Sequence, residues 1–315
     1  MPETVLKIEN LNKTLGKRHI LHDISFDAYA GEVFGFLGPN GAGKTTTIKC
    51  AVGLISIDSG TISIGGREVS EDFEGAMAQV GGIVENPEMY KFLTARQNLE
   101  QYARMRDGIT KERIDEVLKI VGLANRADEK ISKYSLGMRQ RAGVAQAILH
   151  KPKVLILDEP TNGLDPAGIK ELRDILKHLA HEEGVCVIVS SHLMSEMELM
   201  CDRVGIIAQG KMLGVYTLEE LMNSSNGENE RYLIRCGDAQ KAMEAIADIE
   251  GIESTLSDDQ LEISVPIEGA KETISRINRQ IVLAEIPLYE VNLLEKKKLE
   301  EAFIEMTGNG GDQMG

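Results

Sequence analysis

The sequence contains no long hydrophobic run, no closely spaced pair of cysteines and no excess of basic charge. Its strongest apolar runs have the length of strands, as at Val33–Leu37 and Val185–Val189, whereas a transmembrane helix needs about 20 apolar residues. The first residues also lack a basic segment followed by a long apolar run, so we expect no signal peptide. If the protein serves a process at a membrane, we expect the membrane-spanning part to be another chain.

The few cysteines and the excess of acidic over basic residues argue against further classes of protein. Four cysteines are widely separated in the sequence: Cys50, Cys186, Cys201 and Cys236. Their spacing argues against a disulfide framework or a zinc site and favours buried thiols in a reducing cytoplasm. The net formal charge is −15, which disfavours broad nucleic-acid binding because that function needs a basic surface. A length of 315 residues predicts two domains.

The hydrophobic pattern over residues 1–222 predicts one α/β domain. Short apolar or alternating runs predict strands at Val5–Ile8, Ile24–Asp27, Glu32–Leu37, Thr61–Ile64, Val154–Leu157 and Val185–Val189. The pattern from about Thr94 to Leu149 is helical, with breaks at Gly108 and Gly137, and we place a helical subdomain at about 87–150. A predicted helix from Pro166 to near Gly184 joins the last two strands, which implies a parallel sheet with a right-handed crossover.

The composition changes at residues 223–230, a polar run that predicts a linker. Residues 231–307 then predict the order β-α-β-β-α-β, which is typical of a small ferredoxin-like accessory domain. The predicted elements are a strand at Arg231–Cys236, a helix at Ala239–Ile249, two strands around Ser257–Asp259, a helix at Gly269–Gln280 and a strand at Val282–Ile286. A last helix is predicted at Leu293–Met306, and residues 308–315 are predicted to be a disordered tail.

A glycine-rich loop, Gly38–Thr46, has the sequence GPNGAGKTT between a predicted strand and a predicted helix. It fits the phosphate-binding pattern Gly-x-x-x-x-Gly-Lys-[Ser/Thr] in the context that this pattern requires. Glycines let successive backbone N–H groups converge on phosphate oxygens, and the helix presents its positive end to the same anion. Lys44 is predicted to reach the β- and γ-phosphates of ATP, and the Thr45 hydroxyl to bind Mg²⁺. The other predicted ATP contacts in the loop are Asn40, Gly41, Gly43 and Thr46.

Two carboxylates, Asp158 and Glu159, follow the apolar run Val154–Leu157. A buried parallel strand delivers such residues to the carboxyl edge of its sheet, where ligands of open α/β sheets bind. Because successive strand residues point to opposite sides, we expect the two acids to have different roles. Asp158 is predicted to hold Mg²⁺ directly or through water, and Glu159 to orient and deprotonate the attacking water.

Three further segments occur in a fixed order around the acidic pair. Tyr134–Arg141 has the sequence YSLGMRQR and precedes the pair, Pro160–Asp165 (PTNGLD) follows it, and Ser190–His192 (SSH) follows the next strand. Each segment alone is weak evidence, but their conjunction with the glycine-rich loop is specific. Over about residues 4–220 the sequence closely resembles the nucleotide-binding subunit of ABC transporters. The resemblance implies a P-loop NTPase cassette with a RecA-like core, an antiparallel β subdomain and a helical subdomain.

The resemblance also implies how two copies would form a site. Members of the family dimerise head to tail, as a homodimer or with a related cassette, and bury two ATP molecules between them. By resemblance, Ser135 and Gly137 would contact the γ-phosphate held by Lys44 of the other copy, and Asp165 would cross the interface. His192 would bind the γ-phosphate and hold Glu159 and water in line. ATP would then join the cassettes, and its hydrolysis would release them.

Glu85 is one departure from the family pattern. Many members have a glutamine at the end of the strand before the helical subdomain, where this sequence has Glu85. The segments Glu85–Tyr90 and Leu93–Leu99 resemble the branch that exports bacitracin and lantibiotics. We hypothesise that Glu85 binds Mg²⁺ and couples the site to a permease; the alternative is a tolerated isostere with no special role.

Leu15 is a second departure. The loop before the second strand normally offers an aromatic ring that stacks on adenine, and here Leu15 lies at that place. Leucine provides apolar contact without ring stacking. The sequence therefore predicts weaker ATP binding and poorer base discrimination than in relatives with tyrosine.

The resemblance finally implies a partner and a location. An integral-membrane permease encoded separately would dock a cytoplasmic helix near Glu85, in a groove that Met89, Tyr90 and Phe92 could line. Ordinary helical-subdomain core is the alternative for those three side chains. The leading hypothesis is an ATP-hydrolysing subunit in the cytoplasm, on the inner face of the cell membrane, that energises export of a peptide antibiotic or similar amphiphile.

Two other classes of function are weighed against this hypothesis. A non-transport ABC ATPase acting on ribosomes or DNA would carry two cassettes or a long coiled coil between Lys44 and Asp158, and the sequence has neither. A regulatory or sensory ATP-binding module without turnover is disfavoured by the presence of both Glu159 and His192. The accessory domain could regulate, strengthen a dimer or cap the cassette.

Overall fold

The structure, a computed structural model, describes residues 3–221, 229–257 and 260–294. These residues form two compact units, 3–218 and 219–294. In the described ranges, none of the helices combines the length and the apolar character needed to cross a bilayer.

The described part of the first unit contains ten strands: β1 (Thr4–Leu15), β2 (Arg18–Tyr29), β3 (Val33–Leu37), β4 (Ser59–Ile64), β5 (Arg67–Glu68), β6 (Val80–Ile83), β7 (Val154–Leu157), β8 (Cys186–Ser191), β9 (Arg203–Ala208) and β10 (Lys211–Thr217). Its α-helices are α1 (Lys44–Ala51), α2 (Phe73–Met77), α3 (Ala95–Ala103), α4 (Lys111–Ile120), α5 (Leu136–Ala147), α6 (Pro166–His181) and α7 (Met194–Met200). Short 3-10 helices lie at Ala124–Arg126 and Ile131–Lys133.

Two sheets organise the first unit. The larger sheet has the order β10-β9-β3-β8-β7-β6, in which β9 through β6 are parallel and β10 is antiparallel to β9. The smaller sheet is antiparallel, in the order β2-β1-β4-β5. Strands β3, β7 and β8 are buried along their whole length, because a parallel sheet is covered on both faces. The predicted parallel sheet is therefore confirmed.

Aromatic side chains from β2 and β3 join the cores of the two sheets. Phe26 and Phe34 stack with ring centroids 5.1 Å apart and 7° between the ring planes. Phe36 lies 5.4 Å from Phe26, and all three belong to a buried cluster that includes residues of β1, β4 and α1. This packing fixes β3, and with it the loop that follows β3.

Capping residues determine where the helices of the helical segment begin. Thr94 and Gln97 form a capping box at the start of α3, and Thr110 and Ser135 cap α4 and α5 through their hydroxyl oxygens. The predicted break at Gly108 is confirmed by its positive φ of 81° between α3 and α4. The predicted break at Gly137 is wrong, because the cap at Ser135 places Gly137 inside the first turn of α5.

The second unit follows the order β11 (Asn229–Cys236), α8 (Ala239–Ala245), β12 (Glu253–Ser257), β13 (Gln260–Pro266), α9 (Ala270–Leu283) and β14 (Leu288–Leu293). Its sheet is antiparallel, in the order β12-β13-β11-β14. A separate hydrophobic cluster, which includes Ile234, Ile263 and Ile277, forms its core. The unit thus has its own core.

The last strand differs from its prediction. A strand was expected at Val282–Ile286, but α9 runs to Leu283 and the strand is Leu288–Leu293. Ile277 and Ile281 are fully buried at helical spacing, whereas Val282 and Leu283 are exposed. The helix therefore continues through the start of the expected strand, and only the tertiary contacts distinguish the two interpretations. The predicted start of the last helix at Leu293 is wrong, because Leu293 ends β14. Residues 223–228 of the predicted linker, 295–306 of the predicted last helix and the predicted tail at 308–315 lie outside the described residues.

Candidate functional site

The glycine-rich loop joins the buried strand β3 to α1. Gly43, immediately before the helix, has a φ of 112°, a backbone conformation that residues with side chains rarely adopt. At Gly38 a Cβ atom would collide with the carbonyl oxygen of Ile207 on β9. The Gly38 N–H donates to the carbonyl oxygen of Ser191, 3.3 Å away at the end of β8. Glycine is therefore needed both for the turn and for its close packing against neighbouring strands.

Lys44, the first residue of α1, points back along the loop. Its side chain is 5% exposed, and its Nζ donates to the carbonyl oxygens of Gly38 (2.7 Å) and Pro39 (3.3 Å). A cleft of about 300 Å³ opens beside it, lined by Leu15, Ile20, Asn40, Gly41, Ala42, Gly43, Lys44, Thr45, Thr46 and Glu159. All the ATP-binding residues predicted within one copy thus line one cleft.

The two acids after β7 lie in different surroundings. Asp158 is 4% exposed and accepts a hydrogen bond of 2.6 Å from the Ser190 hydroxyl, whose oxygen accepts the Glu159 N–H at 2.8 Å. Glu159 has a φ of 49°, in the left-handed region that disfavours a residue with a side chain. The chain therefore turns sharply between the acids, and Ser190 holds that turn from β8.

Glu159 connects the loop lysine with the histidine after β8. The Glu159 Oε1 atom lies 3.3 Å from Lys44 Nζ, and His192 Nδ1–H donates to Glu159 Oε2 at 2.7 Å. Three residues predicted from separate segments therefore meet beside the cleft. A carboxylate held between two donors can be aimed at one point, which a general base requires.

The structure does not bring all three predicted metal ligands to the cleft. Thr45 lines the cleft, but Glu85, 66% exposed with a φ of 71°, accepts a hydrogen bond of 2.8 Å from Lys49 on α1. No group of three or more His, Cys, Asp or Glu side chains within the described ranges could enclose a metal ion. Asp158 is buried and lies outside the cleft lining. The Thr45 hydroxyl and the Asp158 carboxylate are nevertheless the types of ligand that Mg²⁺ takes at nucleotide sites, where few protein groups join the phosphate oxygens.

The residues predicted to act on a second copy lie apart from this cleft. Ser135 caps α5 by accepting the Met138 N–H at 3.2 Å, and Asp165 caps α6 by accepting the Gly168 N–H at 3.0 Å. Gly137 lies in the first turn of α5. The cleft lining includes none of Ser135, Gly137 and Asp165.

Two of the three side chains predicted to line the docking groove are exposed rings, and the backbone of one of them is held by Asn98. Tyr90 and Phe92 are 55% and 69% exposed, with ring centroids 5.7 Å apart, and Met89 is half-buried. Asn98, which is fully buried, accepts the Tyr90 N–H at 2.8 Å and donates to the Tyr90 carbonyl oxygen at 3.1 Å. Core packing is therefore the wrong interpretation for Tyr90 and Phe92.

Sequence reasoning missed several residues that shape the site. Ser190 and Ser191 were noted only as part of a motif, and Glu196 on α7 was not singled out at all, although it accepts hydrogen bonds from the hydroxyls of Thr161 and Ser191. An acidic residue on a helix is usually solvated, so the sequence carries little signal for this role.

Comparison with known proteins identifies what the chain is similar to. Residues 21–162 match a family model described as ABC transporter. An uncharacterized ABC transporter ATP-binding protein of Bacillus subtilis, YhcH, is 47% identical over 99% of both chains. The bacitracin transport ATP-binding protein BcrA of Bacillus licheniformis is 38% identical over 98% of both chains. A lantibiotic transport ATP-binding protein, SrtF of Streptococcus pyogenes, is 42% identical over 70% of this chain and 96% of its own.

Solved structures agree with this result. One described as the ATP-binding subunit of an ABC transporter superposes with a TM-score of 0.62 at 30% identity, over 69% of this chain and 92% of its own. The likeness confirms the predicted cassette fold. The relatives confirm the predicted resemblance to the bacitracin and lantibiotic branch.

Proposed function

The chain belongs to the ATP-binding proteins of ABC transporters, and on that premise we propose that it hydrolyses ATP with Mg²⁺ at the cleft beside Gly38–Thr46. The observation that carries the proposal is the contact of Glu159 with both Lys44 and His192. A binding module without turnover has no need for a carboxylate held in this way at the cleft.

Each residue of the cleft has a distinct role in the proposal. Lys44 and the loop N–H groups bind the phosphates, and the Leu15 side chain contacts the adenine. Glu159 accepts a proton from water as the water oxygen bonds to the γ-phosphorus, and the bond to ADP breaks. His192 keeps the Glu159 carboxylate in place. When bound, Mg²⁺ neutralises charge on the phosphate oxygens, and Thr45 and Asp158, with Glu85, would hold it.

Glu159→Gln in the full-length chain tests this proposal. The amide keeps the size of the side chain but cannot accept the proton, so we expect the rate of ATP hydrolysis to fall by about 100-fold or more. ATP affinity should stay within about threefold of wild type, because Lys44 and the loop are intact. Glu198→Gln, an exposed position on α7, is the matched control. Unchanged turnover in Glu159→Gln would exclude Glu159 as the base.

The second half of the site, in this proposal, comes from another cassette, either a second copy or a related chain. Ser135, which is exposed, and Gly137, which is partly buried, form a helix start that can bind the γ-phosphate of the facing copy, and Asp165 would lie at the same interface. The test is Ser135→Arg, which should abolish ATP-induced dimerisation in light scattering while the monomer still binds ATP. Ser132→Arg, on a neighbouring exposed position, is the control and should still dimerise. ATP-induced dimers of Ser135→Arg would exclude this interface.

We further propose that the chain energises a separate membrane permease from the inner face of the cell membrane. The names of the bacitracin and lantibiotic relatives support export of a peptide antibiotic or a similar amphiphile. Tyr90 and Phe92 give the permease an exposed aromatic surface beside the loop that carries Glu85. The same names do not favour the alternative of an ATPase acting on ribosomes or DNA.

The second unit is proposed to be a ferredoxin-like accessory domain. Its β-α-β-β-α-β order and its antiparallel sheet β14-β11-β13-β12 support this assignment. Its first strand begins at Asn229, two residues before the expected boundary. We propose that the cassette spans residues 1–222 and that the accessory domain extends to residue 307.

A further inference from the structure

We propose that Glu196 is a positioning residue for ATP hydrolysis, which ties the loop after β7 to the loop after β8 and so holds Glu159 against His192. The inference rests on the proposed ATPase function and adds a residue that the proposed chemistry does not use. Its basis is one carboxylate oxygen that is shared by two hydroxyl groups on the two loops.

Glu196 is partly buried and makes two hydrogen bonds to buried hydroxyl groups. Its Oε2 atom accepts a hydrogen bond of 2.5 Å from the Thr161 hydroxyl and one of 3.0 Å from the Ser191 hydroxyl. Thr161 is 4% and Ser191 1% exposed. The Ser191 oxygen also accepts the Leu193 N–H at 3.0 Å, which fixes the start of the helix that carries Glu196.

The two donors flank the reacting pair in the sequence. Thr161 lies two residues after Glu159 on the loop from β7, and Ser191 directly precedes His192 on the loop from β8. A displacement of one loop against the other would therefore lengthen the 2.7 Å contact between Glu159 and His192. Glu196 joins these loops through Thr161 and Ser191, and Ser190 joins them a second time through Asp158 and the Glu159 N–H.

The backbone of Glu159 explains why such support is needed. Its φ of 49° is unfavourable for a residue with a side chain and persists only where the surroundings enforce it. Without Glu196, the buried hydroxyls of Thr161 and Ser191 would lose an acceptor, and each would favour a rearrangement that satisfies it. A carboxylate acceptor also makes each bond stronger than a neutral one.

The experiment compares Glu196→Ala, Glu196→Gln and Glu198→Ala in the full-length chain. For Glu196→Ala we expect kcat for ATP hydrolysis to fall by about tenfold or more, which corresponds to losing one to two hydrogen bonds. KM should stay within about threefold, because Glu196 does not line the cleft. Glu196→Gln should keep most of the rate, since a single carbonyl oxygen can accept both bonds. Glu198→Ala, exposed on the same helix, should match wild type.

A second set of variants tests whether the loss of kcat in Glu196→Ala depends on the hydroxyl groups of Thr161 and Ser191. In a chain that already carries Thr161→Val and Ser191→Ala, Glu196→Ala should change kcat by less than about twofold, because the shared contacts are gone. An effect of Glu196→Ala as large as in wild type would overturn the inference. So would an unchanged kcat in Glu196→Ala, or a loss in Glu196→Gln as large as in Glu196→Ala.

Failure of this inference is distinguishable from failure of the proposed function. If the wild-type chain does not hydrolyse ATP, or if Glu159→Gln does not reduce hydrolysis, the proposed function itself is wrong. If hydrolysis depends on Glu159 but not on Glu196, only the positioning role is wrong. ATP affinity measured for every variant reports whether the chain is folded.

Discussion

At the scale of single residues, Glu85 has an unexpected partner. Its carboxylate accepts a hydrogen bond from Lys49, and this contact lowers the pKa of Glu85 and raises the pKa of Lys49. Lys49 also interacts electrostatically with Asp158. The extra negative charge that Glu85 brings, compared with glutamine, is thus balanced by a cation on the helix that follows the phosphate loop.

Glu85→Gln tests whether that charge serves the metal. If Glu85 helps to hold Mg²⁺, the concentration of Mg²⁺ that gives half-maximal ATP hydrolysis should rise by about tenfold. Glu88→Gln, an exposed position on the same loop, should leave it unchanged. Equal Mg²⁺ dependence in the wild type and Glu85→Gln would support the tolerated isostere instead.

Leu15 permits a gain-of-affinity prediction. It lines the cleft together with Ile20 and is 42% exposed, so a larger ring has space there. Base–aromatic stacking contributes about 1–3 kcal/mol, and Leu15→Tyr should therefore tighten ATP binding by about fivefold or more. Calorimetry with ATP and GTP measures the affinity and the base discrimination. Leu54→Tyr, at an exposed position away from the cleft lining, is the control; equal ATP affinity in Leu15→Tyr and the wild type would exclude this role for Leu15.

At the scale of elements, β3 is the strand on which the site depends. It pairs with β8 on one side and β9 on the other, and Phe34 packs against the smaller sheet through Phe26. The loop that follows β3 is held by Ile207 on β9 and by Ser191 on β8. The position of the phosphate loop is therefore set by the packing of β3.

Phe34→Ala should lower the free energy of unfolding by about 3–5 kcal/mol, because it leaves a cavity in a fully buried core. Phe92→Ala makes the same change at an exposed ring on the proposed docking surface and should alter stability by less than about 0.5 kcal/mol. Urea unfolding of both variants measures the difference. Similar losses in the two variants would show that Phe92 belongs to a core rather than to a docking surface.

At the scale of the whole molecule, the two units have separate hydrophobic clusters. Every residue that lines the ATP cleft belongs to the first unit. Truncation after Ser225 should therefore leave a folded cassette with ATP affinity within about threefold of the full chain. A loss of affinity above about tenfold would contradict this independence.

The same truncated chain separates the possible roles of the second unit. Weaker ATP-induced dimerisation would indicate a dimer-strengthening role, and altered turnover with unchanged dimerisation would indicate regulation. Reduced stability alone would indicate a cap.

The sequence by itself determined the local features of this protein. The buried strands β3, β7 and β8 followed from continuous apolar runs, and the phosphate loop followed from its glycine spacing, because each of these signals lies within a few consecutive residues. The conjunction of the loop with the acidic pair and Ser190–His192 also predicted the family, which the relatives confirm.

Only the tertiary structure decided several contacts between side chains. No local pattern in the sequence connects the residues of these contacts. Glu85 pairs with Lys49, and Asn98 bonds to the backbone of Tyr90. Glu196 accepts hydrogen bonds from both Thr161 and Ser191. The same holds for the end of α9, where burial of Ile281 decided between helix and strand. Periodicity reports which face of an element is apolar, whereas contacts between elements depend on how the whole chain packs.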